Sequence, residues 1–272
     1  MTVVSFPSRR ESVVLLHSSA SSGRQWDAIA AALAPTSTVH APPLLGYDHR
    51  AQWPLGHAVT LDDEAAALEP LLDASPAPVH VVGHSYGGAV ALQLALRRPD
   101  AVASLTLYEP VRFALLFGAP GLAAAGEEIV RVGRHLCQLA GAGDTHAAAA
   151  EFVDYWSGKG AWTTMSNARR DAVAARMTKV CAEFAALFAD AVPACAYAML
   201  KMPVRLLRGD ASPLPARGVA SRLNELLPCA TLVTLRGGVH MQPVTDPSSV
   251  VAALPHWIAR RRCEDVALAV AG

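Results

Sequence analysis

The stretch Val79-His80-Val81-Val82-Gly83-His84-Ser85-Tyr86-Gly87-Gly88-Ala89-Val90 decides the fold. A β-branched run leads straight into Gly-His-Ser-Tyr-Gly, and an alanine- and leucine-rich segment follows at once. The pattern predicts a strand, a turn and a helix in immediate succession, with Ser85 at the turn. Gly83 and Gly87 sit two residues either side of Ser85. A Cβ at either place would press on the neighbouring strand or helix, so the reversal needs them. The arrangement fits G-x-S-x-G, a turn so tight that the serine backbone is strained and its hydroxyl is held clear of the sheet. The helix start behind Ser85 also aims backbone N–H groups at any anion formed there. G-x-S-x-G arises by chance in long sequences, but the strand before it and the helix after it favour a chemical role for Ser85.

Upstream, Ser12 to Leu16 is a short apolar run of the kind covered on both faces of a sheet, and the polar stretch His17 to Gly23 ends it. Trp26, Ile29, Ala30 and Leu33 recur at helical spacing within Gln25 to Leu33, and Pro35 stops that helix. Thr38 to Ala41 reads as a brief strand broken by Pro42-Pro43, and Leu44 to His49 as a loop. Leu61 to Leu72 reads as a helix, with Asp62 and Asp63 favouring its N-terminus. Downstream, Tyr86 to Arg97 reads as helix and Ser104 to Tyr108 as strand. Strand and helix alternate, which predicts an α/β fold with a mostly parallel sheet flanked by helices.

From about Arg112 to Leu200 the alternation stops. Glu127 to Leu139, Ala147 to Trp156 and Ala172 to Phe188 are helical windows with no strand between them. Residues 112–200 are therefore expected as an all-helical cap inserted between strands, and residues 1–111 and 201–272 as the α/β core. The core pattern resumes with a strand at Pro203 to Gly209, a helix over Ala216 to Leu227, a strand at Thr231 to Leu235 and a closing helix over Val250 to Arg262.

At 272 residues the chain can bury a large core without a second independent domain. Lys plus Arg and Asp plus Glu number 23 each, and no basic stripe points to nucleic acid or an acidic membrane surface. No stretch approaches the ~20 uninterrupted apolar residues of a membrane span. Met1 to Arg10 lacks the apolar run of a leader, so a soluble, unprocessed chain is expected. The five cysteines, Cys137, Cys181, Cys195, Cys229 and Cys263, are scattered and odd in number. They are expected as thiols in a reducing cytoplasm. The sequence leaves a homodimer open.

A serine hydroxyl is a weak nucleophile at neutral pH and needs a base within hydrogen-bond reach and a third group to orient that base. Among the ten histidines, His240 follows a strand and a Gly-Gly pair, in a late loop that a parallel sheet would place at its carboxyl edge beside Ser85. His84, inside the turn, cannot easily reach back to Ser85 and is expected to pack beneath it.

The order of nucleophile, acid and histidine, the helical insertion and the His17 loop together resemble the α/β-hydrolase fold, specifically its capped serine hydrolases, over nearly the whole chain. The resemblance implies one oxyanion N–H from Ser19, in the loop His17-Ser18-Ser19, and another from Tyr86. Ser18 stands where the family usually has glycine. The family's acid usually lies in a Gly-x-x-Asp turn after the cap, but this chain reads Gly209-Asp210-Ala211-Ser212. A second family solution, an acid at the end of the strand behind the nucleophile helix, falls on Glu109 in Leu107-Tyr108-Glu109-Pro110. Glu109 is the favoured acid and Asp210 the alternative. An aspartate nucleophile marks the family's dehalogenases and epoxide hydrolases, so Ser85 argues against both.

What remains is acyl chemistry, with no metal and no organic cofactor implied. The expected activity is cofactor-free hydrolysis of a small, largely apolar ester or related acyl substrate. The alternatives are a carbon–carbon bond hydrolase or haloperoxidase-like esterase on the same triad, and a non-catalytic ligand-binding member of the fold. Phe113, Leu116, Phe117, Phe152, Tyr155, Trp156, Trp162, Met165 and Phe184 are candidates to roof the pocket. Phe113, Trp156 and Trp162, with Met241 beside the base, are the residues expected to touch substrate.

Overall fold

The computed structural model describes residues 11–48 and 58–254. Met1 to Arg10, His49, Cys263 and the greater part of the expected closing helix lie outside that range. Alternate residues of the first strand carry the logic of the architecture. Val13 and Leu15 belong to one buried cluster with Trp26, Ile29, Leu33, Val250 and Leu254. Val14 and Leu16 belong to another, with Leu68, Leu72, Ala89 and Leu92. A strand with two apolar faces needs helices on both sides.

The chain supplies them in order: β1 (Glu11–Leu16), α1 (Asp27–Leu33), β2 (Ser37–His40), α2 (Leu61–Asp73), β3 (Val79–His84), α3 (Tyr86–Arg97) and β4 (Val102–Tyr108). Then come five helices, α4 (Ala123–Gly141), α5 (Thr145–Ser157), α6 (Ala161–Thr164), α7 (Asn167–Ala174) and α8 (Met177–Phe188). The alternation ends with β5 (Val204–Gly209), α9 (Leu214–Leu226), β6 (Ala230–Leu235), α10 (Gln242–Thr245) and α11 (Pro247–Ala253). The six strands among the described residues all run parallel, in the order β2-β1-β3-β4-β5-β6. α1 and α11 cover one face; α2, α3 and α9 cover the other. α2 starts where Asp62 and Asp63 indicate, at a capping box in which the Thr60 hydroxyl accepts from Asp63 N–H while the Asp63 carboxylate accepts from Thr60 N–H.

Between β4 and β5 no strand interrupts the helices. The window Ala172 to Phe188, read as one helix, is broken between Ala174 and Met177. At the break Arg176 donates to Ala20 O at 3.0 Å and stacks over the Tyr47 ring, which ties the insertion to the loop after β1. Helical periodicity carries no trace of such a tie. A second tie is Arg112, fully buried just past β4. Its guanidinium donates to both Asp190 oxygens at 2.6 and 2.9 Å and to Gln93 Oε1 at 2.8 Å. Both ends of the insertion are thereby anchored to α3, and the buried charge has the partner it requires.

Cys137, Cys181 and Cys195 are free thiols, but Cys229 is disulfide-bonded. Cysteine usage therefore does not indicate a reducing compartment. Among the described residues no helix is long and apolar enough to cross a membrane.

Candidate active site

β2 lies on one side of β1 and all later strands on the other. The chain direction across the sheet thus reverses at β1 and β3, and loops leaving their carboxyl ends separate to open a crevice. Ser85 follows β3 directly, with φ 55° and ψ −119°. That conformation costs on the order of 1–3 kcal/mol in a residue with a side chain. Neighbouring backbone holds it: Ser85 N–H donates to Tyr108 O at 3.0 Å, and Ser85 O accepts from Gly88 and Ala89 at 2.9 and 3.1 Å. A Cβ on Gly83 would stand 2.6 Å from Gly87 O, and one on Gly87 would stand 2.3 Å from Leu16 O, so both glycines are obligatory.

His240 lies between β6 and α10, and its backbone is fixed from three directions. His84 Nε2 donates to His240 O at 2.8 Å, the Tyr108 hydroxyl donates to Val239 O at 2.8 Å, and Val239 N–H donates to Gln242 Oε1 at 3.2 Å. His84 Nδ1 accepts from Gln25 at 2.9 Å, and Gln25 Oε1 accepts from the Ser18 N–H and hydroxyl at 3.1 and 2.9 Å. One chain of bonds thus runs from Ser18 to His240. Burial holds His84 well below its ordinary pKa, so it stays neutral and acts as a strut. Ser18 and Gln25 were not legible as parts of this device, since the bonds join residues far apart in sequence.

The side chains then meet. The Ser85 hydroxyl donates to His240 Nε2 at 3.0 Å, and His240 Nδ1–H donates to Glu109 Oε2 at 2.6 Å. Glu109 Oε1 accepts from Gly209 N–H at 2.6 Å. Ser85 is 6% exposed, His240 1% and Glu109 0%. Asp210, the alternative acid, is not brought to His240: it is exposed and its Oδ1 accepts from Gly237 N–H at 2.7 Å. Ser212, where the resemblance expects an aspartate, is buried, with no partner for its hydroxyl among the described residues.

A narrow cavity of about 20 Å³ adjoins Ser85, with Ser18, Ser19, His240, Met241, Phe113 and Trp156 in its wall. That is little more than the space for one water molecule. Phe152, Glu183, Phe184 and Leu187 complete it from the insertion. The Trp156 ring lies on the His240 imidazole, centroids 4.2 Å apart. Trp162 does not line the cavity; its ring packs against Arg170 and His146, and its backbone N–H donates to Asp154 Oδ1 at 2.7 Å. Tyr86 opens α3, so its N–H lies in the first turn, where amides have no intrahelical acceptor. Among the described residues no group of three or more His, Cys, Asp or Glu side chains could hold a metal.

His17 sets the loop that carries Ser18 and Ser19. Its Nδ1–H donates to Ser18 O at 2.9 Å and its Nε2 accepts from Leu44 N–H at 3.2 Å, a pattern open only to the neutral ring. Burial brings its pKa down to about 4. Between pH 6.5 and 4 the unfolded chain holds a proton at His17 that the folded chain lacks, so this contribution to stability is present above pH 6.5 and is lost as pH falls. Urea unfolding at pH 7 and 4.5 is expected to show His17→Gln relieving roughly 2–3 kcal/mol of the acid-induced loss.

Residues 11–247 match a family model described as alpha/beta hydrolase fold. The chain is 44% identical over 105 residues to Lipase LipV of Mycobacterium tuberculosis, covering 38% of this chain and 39% of that protein. It is 37% identical over 95 residues to the pimeloyl-[acyl-carrier protein] methyl ester esterase of Vibrio cholerae, covering 35% of each. These matches span little more than a third of either relative. Among solved structures, MGS-M2, an alpha/beta hydrolase enzyme from a deep-sea metagenome library, superposes with TM-score 0.78 at 16% identity, covering 95% of this chain and 92% of that one. Esterase RhEst1 from Rhodococcus superposes with TM-score 0.70 at 21% identity, covering 92% and 90%.

Proposed function

Because the chain belongs to the alpha/beta hydrolase fold family, we propose that it is a serine hydrolase cleaving small, largely apolar esters through an acyl-enzyme. The observation that carries this reading is the continuous contact from Ser85 through His240 to Glu109, with Ser85 on its strained turn. The lipase and methyl ester esterase relatives support the same class of bond.

The chemistry follows from the contacts. Ser85 Oγ attacks the ester carbonyl while its proton passes to His240 Nε2. Glu109, accepting from Nδ1, holds the ring in the tautomer that leaves Nε2 free and stabilises the imidazolium. The N–H groups of Tyr86 and Ser19 receive the developing oxyanion; losing one such donor typically costs about 10² to 10³ in rate. The intermediate collapses, the alcohol leaves with the proton from Nε2, and water, deprotonated by the same nitrogen, releases the acid and restores Ser85. The helices of residues 112–200 act as a cap whose Phe152, Trp156, Phe184 and Leu187 shape the acyl pocket. Only the missing late aspartate favoured a ligand-binding member of the fold, and Glu109 at 2.6 Å from His240 supports catalysis over it.

A cavity of about 20 Å³ favours short acyl groups. Hydrolysis of p-nitrophenyl acetate, butanoate and octanoate is expected to fall steeply with chain length. Trp156→Ala is expected to raise kcat/KM for the octanoate relative to the acetate by roughly tenfold or more, since each methylene admitted to an apolar pocket is worth about 1–3 kcal/mol. No turnover of any of the three, in protein shown folded by its melting transition, contradicts the proposed function.

A further inference from the structure

The cavity contains a carboxyl group that the mechanism above does not use. Glu183 on α8 is 2% exposed and lines the cavity together with Ser19 and Ser85. Its Oε1 is engaged: the Tyr47 hydroxyl donates to it at 2.8 Å and the Lys179 ammonium lies 3.3 Å away. Its Oε2 is buried with no close, well-aligned hydrogen bond among the described residues, and the polar group beside the carboxyl on the cavity side is the Ser19 hydroxyl, which bonds it weakly and can yield to a ligand. Leaving a buried polar atom unmade costs about 1–3 kcal/mol. An apolar side chain would fill the wall without that cost, as Phe184 and Leu187 do on the same helix.

Neighbouring charges narrow what could meet Oε2. Glu64, close by, is fully used: Oε1 accepts from Lys179 at 2.7 Å and from the Tyr86 hydroxyl at 3.1 Å, and Oε2 from Leu45 N–H at 2.9 Å. A carboxylate on the substrate would be repelled by Glu64 and Glu183, and an ammonium group would compete with Lys179, which already sits 2.7 Å from Glu64 and 3.3 Å from Glu183. A hydroxyl is neutral and pairs with either form of the carboxyl, donating a hydrogen bond to the anion or accepting one from the acid. Burial, only partly offset by Lys179, raises the Glu183 pKa above the ordinary carboxyl range. Glu183 and Ser85 share one cavity of about 20 Å³, which keeps such a hydroxyl within a few atoms of the scissile carbonyl.

We infer that the cavity takes esters carrying a hydroxyl group near the scissile carbonyl, with Glu183 Oε2 as that hydroxyl's partner. The inference rests on Ser85 being the nucleophile. It is tested by comparing kcat/KM for methyl 3-hydroxybutanoate and methyl butanoate, with fluorophosphonate labelling of Ser85 followed in parallel. The wild type is expected to favour the hydroxy ester by about tenfold, because a site built to bind a hydroxyl rejects the analogue lacking it. Glu183→Met is expected to bring that ratio close to one, and Glu183→Gln, which keeps a polar atom in place, to retain part of it. A ratio near one in the wild type overturns the inference whether or not either variant folds, and so does an undiminished ratio in Glu183→Met. If Ser85 is labelled in those experiments, the failure belongs to Glu183 alone. Absence of label and of turnover defeats the hydrolase reading and this inference with it.

Discussion

Glu109→Gln is expected to lower kcat for p-nitrophenyl acetate by about 10⁴, the loss seen when a triad acid becomes its amide. The physical cause is the tautomer. As a carboxylate Glu109 can only accept, so His240 carries its proton on Nδ1 and keeps Nε2 as acceptor for the Ser85 hydroxyl at 3.0 Å. A glutamine can turn its NH₂ toward Nδ1, which moves the ring proton to Nε2 and removes the base. Asp210→Asn is the matched control. Asp210 holds Gly237 N–H on an exposed turn and has no contact with His240, so its amide is expected to leave kcat nearly unchanged. The reverse outcome, an intact Glu109→Gln and a dead Asp210→Asn, would transfer the role to Asp210.

Ser85→Ala and His240→Ala are each expected to remove about 10⁶ of kcat, and the double substitution to cost little more than either alone. Groups acting in one proton transfer fail together, because a base without a nucleophile, or a nucleophile without a base, achieves nothing. Additive losses would mean that the two side chains serve separate steps. Ser85 and His240 are buried and Ser85 sits at φ 55°, so circular dichroism and melting of each variant belong beside the kinetics. Replacing serine by alanine keeps the Cβ and is expected to leave the turn folded.

The alternation around Gly83-His84-Ser85-Tyr86-Gly87 predicted the parallel sheet because strand and helix periods are local signals, and each strand lies within a few residues of its expected place. His240 was legible for the same reason: it lies in the loop after β6, on the edge of the sheet where Ser85 emerges. Glu109 stood at a strand end, but proximity to His240 depends on how β4 and the loop after β6 meet, which spacing does not encode. The break at Arg176, the strut of Ser18, Gln25 and His84, and the turning away of Trp162 depend on contacts between distant segments. Glu183 left one trace, an acid beside Phe184 and four residues after Lys179 in a mostly apolar helix, and that trace is also what an exposed residue would leave.

The most direct test is reaction of the intact chain with a fluorophosphonate at neutral pH, followed by peptide mass spectrometry. One adduct per chain is expected, on Ser85, and its formation is expected to be strongly slowed in Glu109→Gln. No adduct on Ser85, or an adduct on another serine with Ser85 unmodified, would contradict the assignment of Ser85 as the activated nucleophile.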